Sequence, residues 1–218
     1  MLLNFNEYRK DYLAKPFDIS DADPSPFVQF AAWFRQAEEA GIEEPNAMTL
    51  ASADAEGRVS ARIVLLKAVE NGAFVFFTNY GSKKGGELDA NPAAALVFFW
   101  KELARQVRVE GRVSRIDPLA STEYFQSRPK GSQIGAWASP QSTVIPDRAF
   151  LESRVAALEQ QYATVDKLPR PESWGGYMLI PDRIEFWQGR PSRLHDRIQY
   201  LLLAETPTPE WQRERLAP

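Results

Sequence analysis

Val59-Ser-Ala-Arg-Ile-Val-Leu-Leu-Lys-Ala-Val-Glu-Asn-Gly-Ala-Phe-Val-Phe-Phe-Thr78 is the stretch whose reading decides the fold. Val59 to Val69 reads as a long strand and Ala73 to Thr78 as a second, both rich in β-branched and aromatic side chains. Between them, Glu70-Asn71-Gly72 is a hairpin signal, because Asn and Gly tolerate the left-handed backbone of tight primed turns. So short a connection leaves no room for a crossover helix. The two strands must pair antiparallel.

The same grammar extends outward in both directions. Upstream, Met48 to Ala53 is a strand and Asp54-Ala-Glu-Gly57 a turn. Downstream, Ser82 caps a short helix, Lys83 to Ala90, which Asn91-Pro92 ends. Ala94 to Trp100 and Arg105 to Ile116 make the next hairpin across Lys101-Glu-Leu-Ala104. Five or more strands joined this way favour a barrel or strongly bent sheet. Three helices flank them. Pro26 to Ala40 carries Phe27, Phe30, Ala31 and Phe34 on one face, with Gly41 as its stop. Asp117 to Ser127 is the second, followed by the small-residue stretch Gly131 to Ala136. Asp147 to Tyr162 is the third, with Phe150, Leu151, Val155 and Leu158. Pro169 and Pro171 mark a linker, and the sheet resumes at Gly176 and continues to about Leu203. The expected fold is mainly β with flanking helices (α+β). Residues 1–25, polar and mixed, read as a mobile N-terminal arm, and residues 26–218 as a single domain.

Composition narrows the function. The chain has 218 residues, 44% of them hydrophobic and 12% aromatic, enough to build a packed core. Its net charge of −3 argues against a generic nucleic-acid binder. With no cysteine, it has no disulfide, thiolate metal site or thiol nucleophile. One histidine makes no persuasive hydrolytic triad, no cluster has metal-ligand spacing, and no metal is expected. No apolar run approaches the roughly 20 residues of a membrane span. The N-terminus lacks a signal-peptide apolar core. A soluble, cytoplasmic protein follows as the expectation.

Five segments could carry chemistry. Arg62-Ile63-Val64-Leu65-Leu66-Lys67 brackets an apolar strand with two cations, which fits a phosphate at the edge of a cavity or two side chains reaching solvent. Phe77-Thr78 leads through Ser82 to Lys83 and Lys84 at a helix start, a place for an anion. Neither GxxxxGK[ST] nor GxGxxG is present. Tyr124 and Arg128 are i, i+4 neighbours near a helix end, with Ser132 close behind, a compact phosphate grip. Gln106, Gln141 and Ser142 offer neutral partners for the carbonyl and imide edges of a heteroaromatic ring. Last, Ile184-Glu-Phe-Trp187 reads as a buried strand, Gly189 and Pro191 turn the chain, and Arg193, His195 and Arg197 follow at a spacing of two. In an extended run that spacing puts all three on one face. The flanking cations should keep His195 neutral. A solvated, Arg-rich edge strand is the competing account.

In this order, the motifs resemble the pyridoxine/pyridoxamine 5′-phosphate oxidase family. The likeness covers nearly everything from Ala47 to Pro218. It rests most on Arg193-Leu-His-Asp-Arg197 and Arg215-Leu-Ala-Pro218, with Tyr124-Phe-Gln-Ser-Arg-Pro129, Gln133-Ile-Gly-Ala-Trp-Ala-Ser139 and Trp174-Gly-Gly-Tyr177 in support. The resemblance implies a split β-barrel homodimer with FMN at the subunit interface. It implies oxidation of pyridoxine or pyridoxamine 5′-phosphate to pyridoxal 5′-phosphate, with O2 reduced to H2O2. Hydride would pass from substrate C4′ to flavin N5. By the same resemblance Arg62 to Lys67, Phe77, Thr78, Lys83, Lys84, Gln106, Gln141, Ser142, Trp187 and Arg197 would hold FMN. Lys67, Tyr124, Arg128 and Ser132 would hold the substrate phosphate, and Arg193, His195 and Arg197 would face its ring. Lys83 stands where the family often has Arg, which keeps a phosphate contact but not a bidentate one. Arg9-Lys-Asp-Tyr12 fits an Arg-x-x-Tyr that some members fold over the active site. The rivals are a non-catalytic or differently specific flavin- or haem-binding split barrel, and a nucleic-acid-binding barrel.

Overall fold

The structure, a computed structural model, describes Tyr12, residues 15–204 and residues 209–218. Arg9 lies outside the described residues. The strands are β1 (Ala47–Ala53), β2 (Val59–Leu65), β3 (Ala68–Glu70), β4 (Ala73–Asn79), β5 (Ala93–Trp100), β6 (Arg105–Arg115), β7 (Trp174–Gln188), β8 (Asp196–Ala204) and β9 (Glu210–Arg215). The helices are α1 (Pro26–Glu39), α2 (Lys83–Ala90), α3 (Pro118–Ser127), α4 (Lys130–Ala138) and α5 (Arg148–Gln161). The strands pair in the order β2-β1-β5-β6-β7-β4-β3, with β8 on β7 and β9 on β8. By contacts the chain divides into two compact units.

The first unit takes Ala95–Glu110, Pro181–Pro218 and the described residues up to Thr49. Its β7 and β8 pair antiparallel, with Ile184 opposite Tyr200 and Trp187 opposite Arg197. One face of this ladder is apolar: Ile184, Phe186, Ile198 and Tyr200 are fully buried. Helix α1 packs aromatics into the same core, with Trp33 5.3 Å from Phe186 and Phe30 5.0 Å from Phe98. The face of α1 that is buried differs from the expected one. Phe30, Trp33 and Ala37 turn inward while Ala31 is exposed, because Trp33 brings more apolar area to the core than Ala31 could.

The second unit takes Leu50–Ala94 and Gly111–Ile180. Strands β3 and β4 form the expected hairpin, with Asn71 and Gly72 both at positive φ (50° and 75°). The long strand expected over 59–69 is two, interrupted at Leu66-Lys67, where the Lys67 amide still donates to the Val75 carbonyl at 2.8 Å. β4 and β7 pair antiparallel, Phe76 opposite Tyr177 and Phe77 opposite Gly176. The Trp174-Gly-Gly-Tyr177 motif has a packing cause, since a Cβ at Gly175 would collide with the Tyr80 hydroxyl. Phe125, Ile134, Leu168 and Trp174 form a buried cluster under α3 and α4.

Candidate functional site

The second unit encloses a cavity of about 590 Å³. Strand β2 supplies Arg62, Ile63, Val64 and Leu65 to its wall, and Lys67 follows; β4 adds Phe77, Thr78 and Asn79. Lys84, Tyr124, Arg128, Ser132, Gln141 and Trp174 complete most of the lining. Stretches spread from residue 62 to residue 174 thus meet around one space.

Lys84 projects from the first turn of α2, whose N-cap is Ser82. Its ammonium donates to Thr78 Oγ1 (3.0 Å), Ser82 Oγ (3.3 Å) and Gln141 Oε1 (2.9 Å). All three acceptors are neutral. Desolvation, and then the charge of Arg62, push the amine below its ordinary pKa. An anion in the cavity would reverse that penalty.

Arg62 is held differently. Its Nη1 donates to Ser52 Oγ (2.5 Å) and to the Leu50 carbonyl (3.2 Å), and its Nη2 to Ser60 and to Glu87 Oε2 (3.0 Å). Glu87 is buried and also accepts from Ser52 (2.6 Å) and Ser60 (2.7 Å). Burial works against its charged form, but the hydrogen bonds from Ser52, Ser60 and Arg62 outweigh it and hold the carboxyl below its usual range. Lys83 is exposed and reaches Glu87 at 3.7 Å, away from the cavity lining. Leu66 is buried and likewise not part of that lining, nor is Ser142, which is exposed at φ 71°.

Tyr124 stacks on Phe77 with ring centroids 3.9 Å apart, and Phe77 on Trp174 at 5.4 Å. Arg128 caps α3 and lays its guanidinium 4.6 Å from the centre of the Trp174 ring. Its Nη1 is buried and has no hydrogen-bond partner among the described residues. Desolvation lowers its pKa, while the nearby Tyr124 opposes the shift. A buried guanidinium nitrogen without an acceptor is costly, and a ligand oxygen would relieve it.

The remaining expected residues lie in the first unit. On β6, Gln106, Arg108 and Glu110 alternate with the buried Val107 and Val109. Trp187 and Glu185 on β7, with Arg197 on β8, occupy the face opposite the apolar core. Arg197 donates to both oxygens of Glu185, at 2.8 and 3.1 Å. Glu185 is buried, and Arg108 reaches it at 3.2 Å.

The extended run expected over residues 193–197 is not formed. Pro191–Arg193 is a 3₁₀ turn in which Ser192 and Arg193 both adopt positive φ (55° and 62°), and β8 begins only at Asp196. The shared face of Arg193, His195 and Arg197 is therefore corrected: a left-handed pair of residues breaks the alternation. Arg193 is exposed on the turn. His195 is half-buried beside Trp187 (ring centroids 4.6 Å apart) and Tyr12 (6.1 Å), and Tyr12 also meets Trp187 edge-on at 5.7 Å. Its Nδ1 accepts the Arg190 amide N–H at 3.1 Å. The neutral ring consequently carries its proton on Nε2. Burial, and then the charge of Arg193, lower its pKa; of the two flanking arginines expected to do so, Arg193 alone contributes.

Sequence reasoning missed Glu87 and Glu185, the two buried carboxylates that hold Arg62 and Arg197. The available signals were weak: a glutamate four residues after Lys83, and one inside an apolar strand. Among the described residues, no helix is long and apolar enough to cross a membrane.

Comparison with known proteins agrees with this arrangement. A family model described as "Pyridoxamine 5'-phosphate oxidase" matches residues 34–162. A second, "Pyridoxine 5'-phosphate oxidase C-terminal dimerisation region", matches residues 174–218. The pyridoxine/pyridoxamine 5'-phosphate oxidase of Paraburkholderia phymatum is 60% identical over 194 residues, 89% of this chain and 91% of that one. The protein of the same name from Cyanothece sp. is 54% identical over the whole of both chains. Among solved structures, PhzG from Burkholderia lata 383, in complex with tetrahydrophenazine-1-carboxylic acid, superposes with a TM-score of 0.86 at 27% identity. That match covers 94% of this chain and 99% of PhzG. The fold is the antiparallel split β-barrel with flanking helices that the sequence led us to expect.

Proposed function

Because the chain belongs to the pyridoxamine 5′-phosphate oxidase family, we propose that it is an FMN-dependent pyridoxal 5′-phosphate synthase. It oxidises pyridoxine 5′-phosphate or pyridoxamine 5′-phosphate to pyridoxal 5′-phosphate with O2 reduced to H2O2, the amine substrate also taking up water and releasing ammonia. The observation that carries the reading is one cavity lined by two partly buried cations, Lys84 and Arg128, neither of which pairs with a carboxylate among the described residues. Cofactor and substrate each bring one phosphate, and two such anions need two separate receivers.

The residues present fit FMN. Lys84, with Arg62 and Thr78 beside it, offers charge and hydrogen bonds at the N-terminus of α2, where the helix dipole also favours an anion. The edge residues Ile63 to Lys67 and Gln141 can meet the rest of the cofactor, and the family resemblance assigns Gln106, Trp187 and Arg197 to FMN as well. No dinucleotide fingerprint provides for an adenylate. When bound, FMN would supply the redox chemistry, serving as hydride acceptor for the substrate and electron donor to O2.

The chain's own groups bind and orient. Arg128, with Tyr124, Ser132 and Lys67, takes the substrate phosphate. Arg193 and the Nε2–H of His195 address the polar substituents of the substrate ring. A neutral His195 donor is suited to holding a phenolate-like oxygen and not to removing a proton. Arg197 touches both ligands and fixes the angle between their rings. The joint presence of Tyr124, Arg128, Ser132 and Arg193 supports a phosphorylated substrate over a non-catalytic flavin or haem carrier. The active form is a cytoplasmic homodimer with each FMN between two protomers. Supporting that, the C-terminal family match is to a dimerisation region, and β2 exposes Val59 and Ile63 to a degree unusual for such side chains.

The test is mass analysis of the released cofactor, followed by anaerobic mixing of the holoprotein with pyridoxine 5′-phosphate. FMN and bleaching of its absorption are expected. FAD, haem or an unbleached flavin would refute the reading.

A further inference from the structure

We infer that Glu185 and the Leu216–Ala217 backbone are positioning elements of the reaction, clamping the Arg197 guanidinium from two sides. The inference rests on the reading above that Arg197 meets flavin and substrate. The β7–β8 register sets Trp187 opposite Arg197 and Glu185 opposite Gln199, so these side chains share one face. Glu185 then receives Arg197 fork to fork: Nε to Oε1 at 2.8 Å and Nη2 to Oε2 at 3.1 Å. This is the geometry that fixes a guanidinium plane as well as its position.

The other side is held by backbone. Arg197 Nη1 donates to the Ala217 carbonyl at 2.8 Å. The segment is pinned in turn to the residue it holds, since the Leu216 amide donates to the Arg197 carbonyl at 2.9 Å. The Arg215-Leu-Ala-Pro218 motif, conspicuous in the sequence, thereby acquires a task. Among the described residues these bonds use three of the five guanidinium N–H groups, leaving one on each terminal nitrogen for ligands.

A purely structural purpose explains Glu185 poorly. A buried carboxylate neutralised by guanidinia adds little net stability, and a well-packed apolar residue could replace it. Here two cations converge on it, since Arg108 also donates to Oε2 at 3.2 Å, and Glu110 in turn accepts from Arg108 and, at 3.4 Å, from Arg183. The network therefore extends across β6, β7 and β8 and ends on one functional side chain. An arginine can set the angle between two ring ligands only if it does not itself swing. Misplacing reacting groups by about 1 Å costs on the order of 100-fold in rate.

The experiment is a double-mutant cycle of wild type, Glu185→Gln, Arg197→Leu and the combination. Two quantities are read: the FMN dissociation constant of the apoprotein by flavin fluorescence, and the single-turnover rate of flavin reduction by pyridoxine 5′-phosphate. With Arg197 present, Glu185→Gln should weaken FMN binding and slow reduction by about 10- to 100-fold. In the Arg197→Leu background it should do neither, because a residue acting through another has no effect once that residue is gone. Deleting Ala217 and Pro218 should behave the same way, and it decides the matter if Glu185→Gln does not fold. Equal losses in both backgrounds, or no loss with Arg197 present, would overturn the clamp. If Arg197→Leu alone binds FMN and reduces it as wild type does, the functional assignment of Arg197 fails and takes the clamp with it. That result is distinct from failure of the clamp alone.

Discussion

Replacing Lys84 with methionine separates a ligand-binding cation from a structural one. In the ligand-free protein the ammonium rests on Thr78, Ser82 and Gln141, none of them charged, and its pKa is lowered chiefly by desolvation. The sign follows directly. With a folded pKa below the unfolded one, the unfolded chain binds more protons between the two values, so stability rises as pH rises through that window. At neutral pH the charged lysine therefore opposes folding, and Lys84→Met should leave the apoprotein as stable as wild type or more so. FMN affinity should move the other way. One charge-assisted contact to phosphate contributes about 1.5–3 kcal/mol, which is roughly a 10- to 150-fold rise in dissociation constant. Fluorescence titration of the apoprotein with FMN, beside thermal unfolding of the same sample, reads both quantities. An unchanged dissociation constant, or an apoprotein that melts well below wild type, would mean that Lys84 serves the fold and that the cofactor phosphate binds elsewhere.

Three further outcomes are expected. Arg128→Met should raise the substrate dissociation constant by about 10- to 150-fold with little change in FMN binding, because the guanidinium it removes has a buried nitrogen without a partner among the described residues. Equal losses for both ligands in stopped-flow titrations would count against separate phosphate sites. The single histidine gives one imidazole signal, and an NMR titration should place its midpoint below the roughly 6.5 of a free imidazole, rising in Arg193→Leu; a midpoint above that value would contradict the neutral donor. Gly175→Ala should cost about 1–3 kcal/mol in chemical denaturation, since its Cβ would strike the Tyr80 hydroxyl, and wild-type stability would mean that Tyr80 moves aside freely.

The hairpin at 70–72 was legible because its two positive-φ residues are Asn and Gly, the types that announce such a backbone. The chain at 191–193 adopts positive φ at Ser192 and Arg193, which announce nothing. Pro191 was legible as a turn, but the direction in which the chain left it was not. Helix α4 was read only as a small-residue stretch because Gly131 and Gly135 lower helix propensity. It forms because Ile134 is buried with Phe125 and Leu168, a tertiary gain that the local sequence does not carry. The candidate site followed the same divide. Residue types at strand ends and helix starts were readable. The partners of Glu185 come from other strands, and one of them, Arg108, lies 77 residues away in sequence.

That divide bears on how an acidic chain can hold two phosphates. Net charge says little here, because Arg62, Arg108, Arg197, Lys84 and Arg128, judged by contacts among the described residues, fall into two kinds. Arg62 and Arg197 each meet a buried glutamate, and Arg108 shares one of them, so their charge is largely neutralised and what remains is a fixed direction. Lys84 and Arg128 meet no carboxylate, and desolvation lowers the pKa of both. Only the more distant charge of Glu87 partly offsets the burial of Lys84, so a bound phosphate has charge left to compensate. Coulomb attraction in a partly desolvated cavity is several-fold stronger than in bulk water, so two such groups suffice to recruit two phosphates whatever the sign of the distant surface. The paired arginines then act on geometry. On this argument, adding acidic residues to the far surface should barely alter ligand affinity at physiological salt, where charges beyond about 8 Å are screened. Replacing either Glu87 or Glu185 should do more harm than either carboxylate's negative charge alone would suggest, because it frees a cation to move.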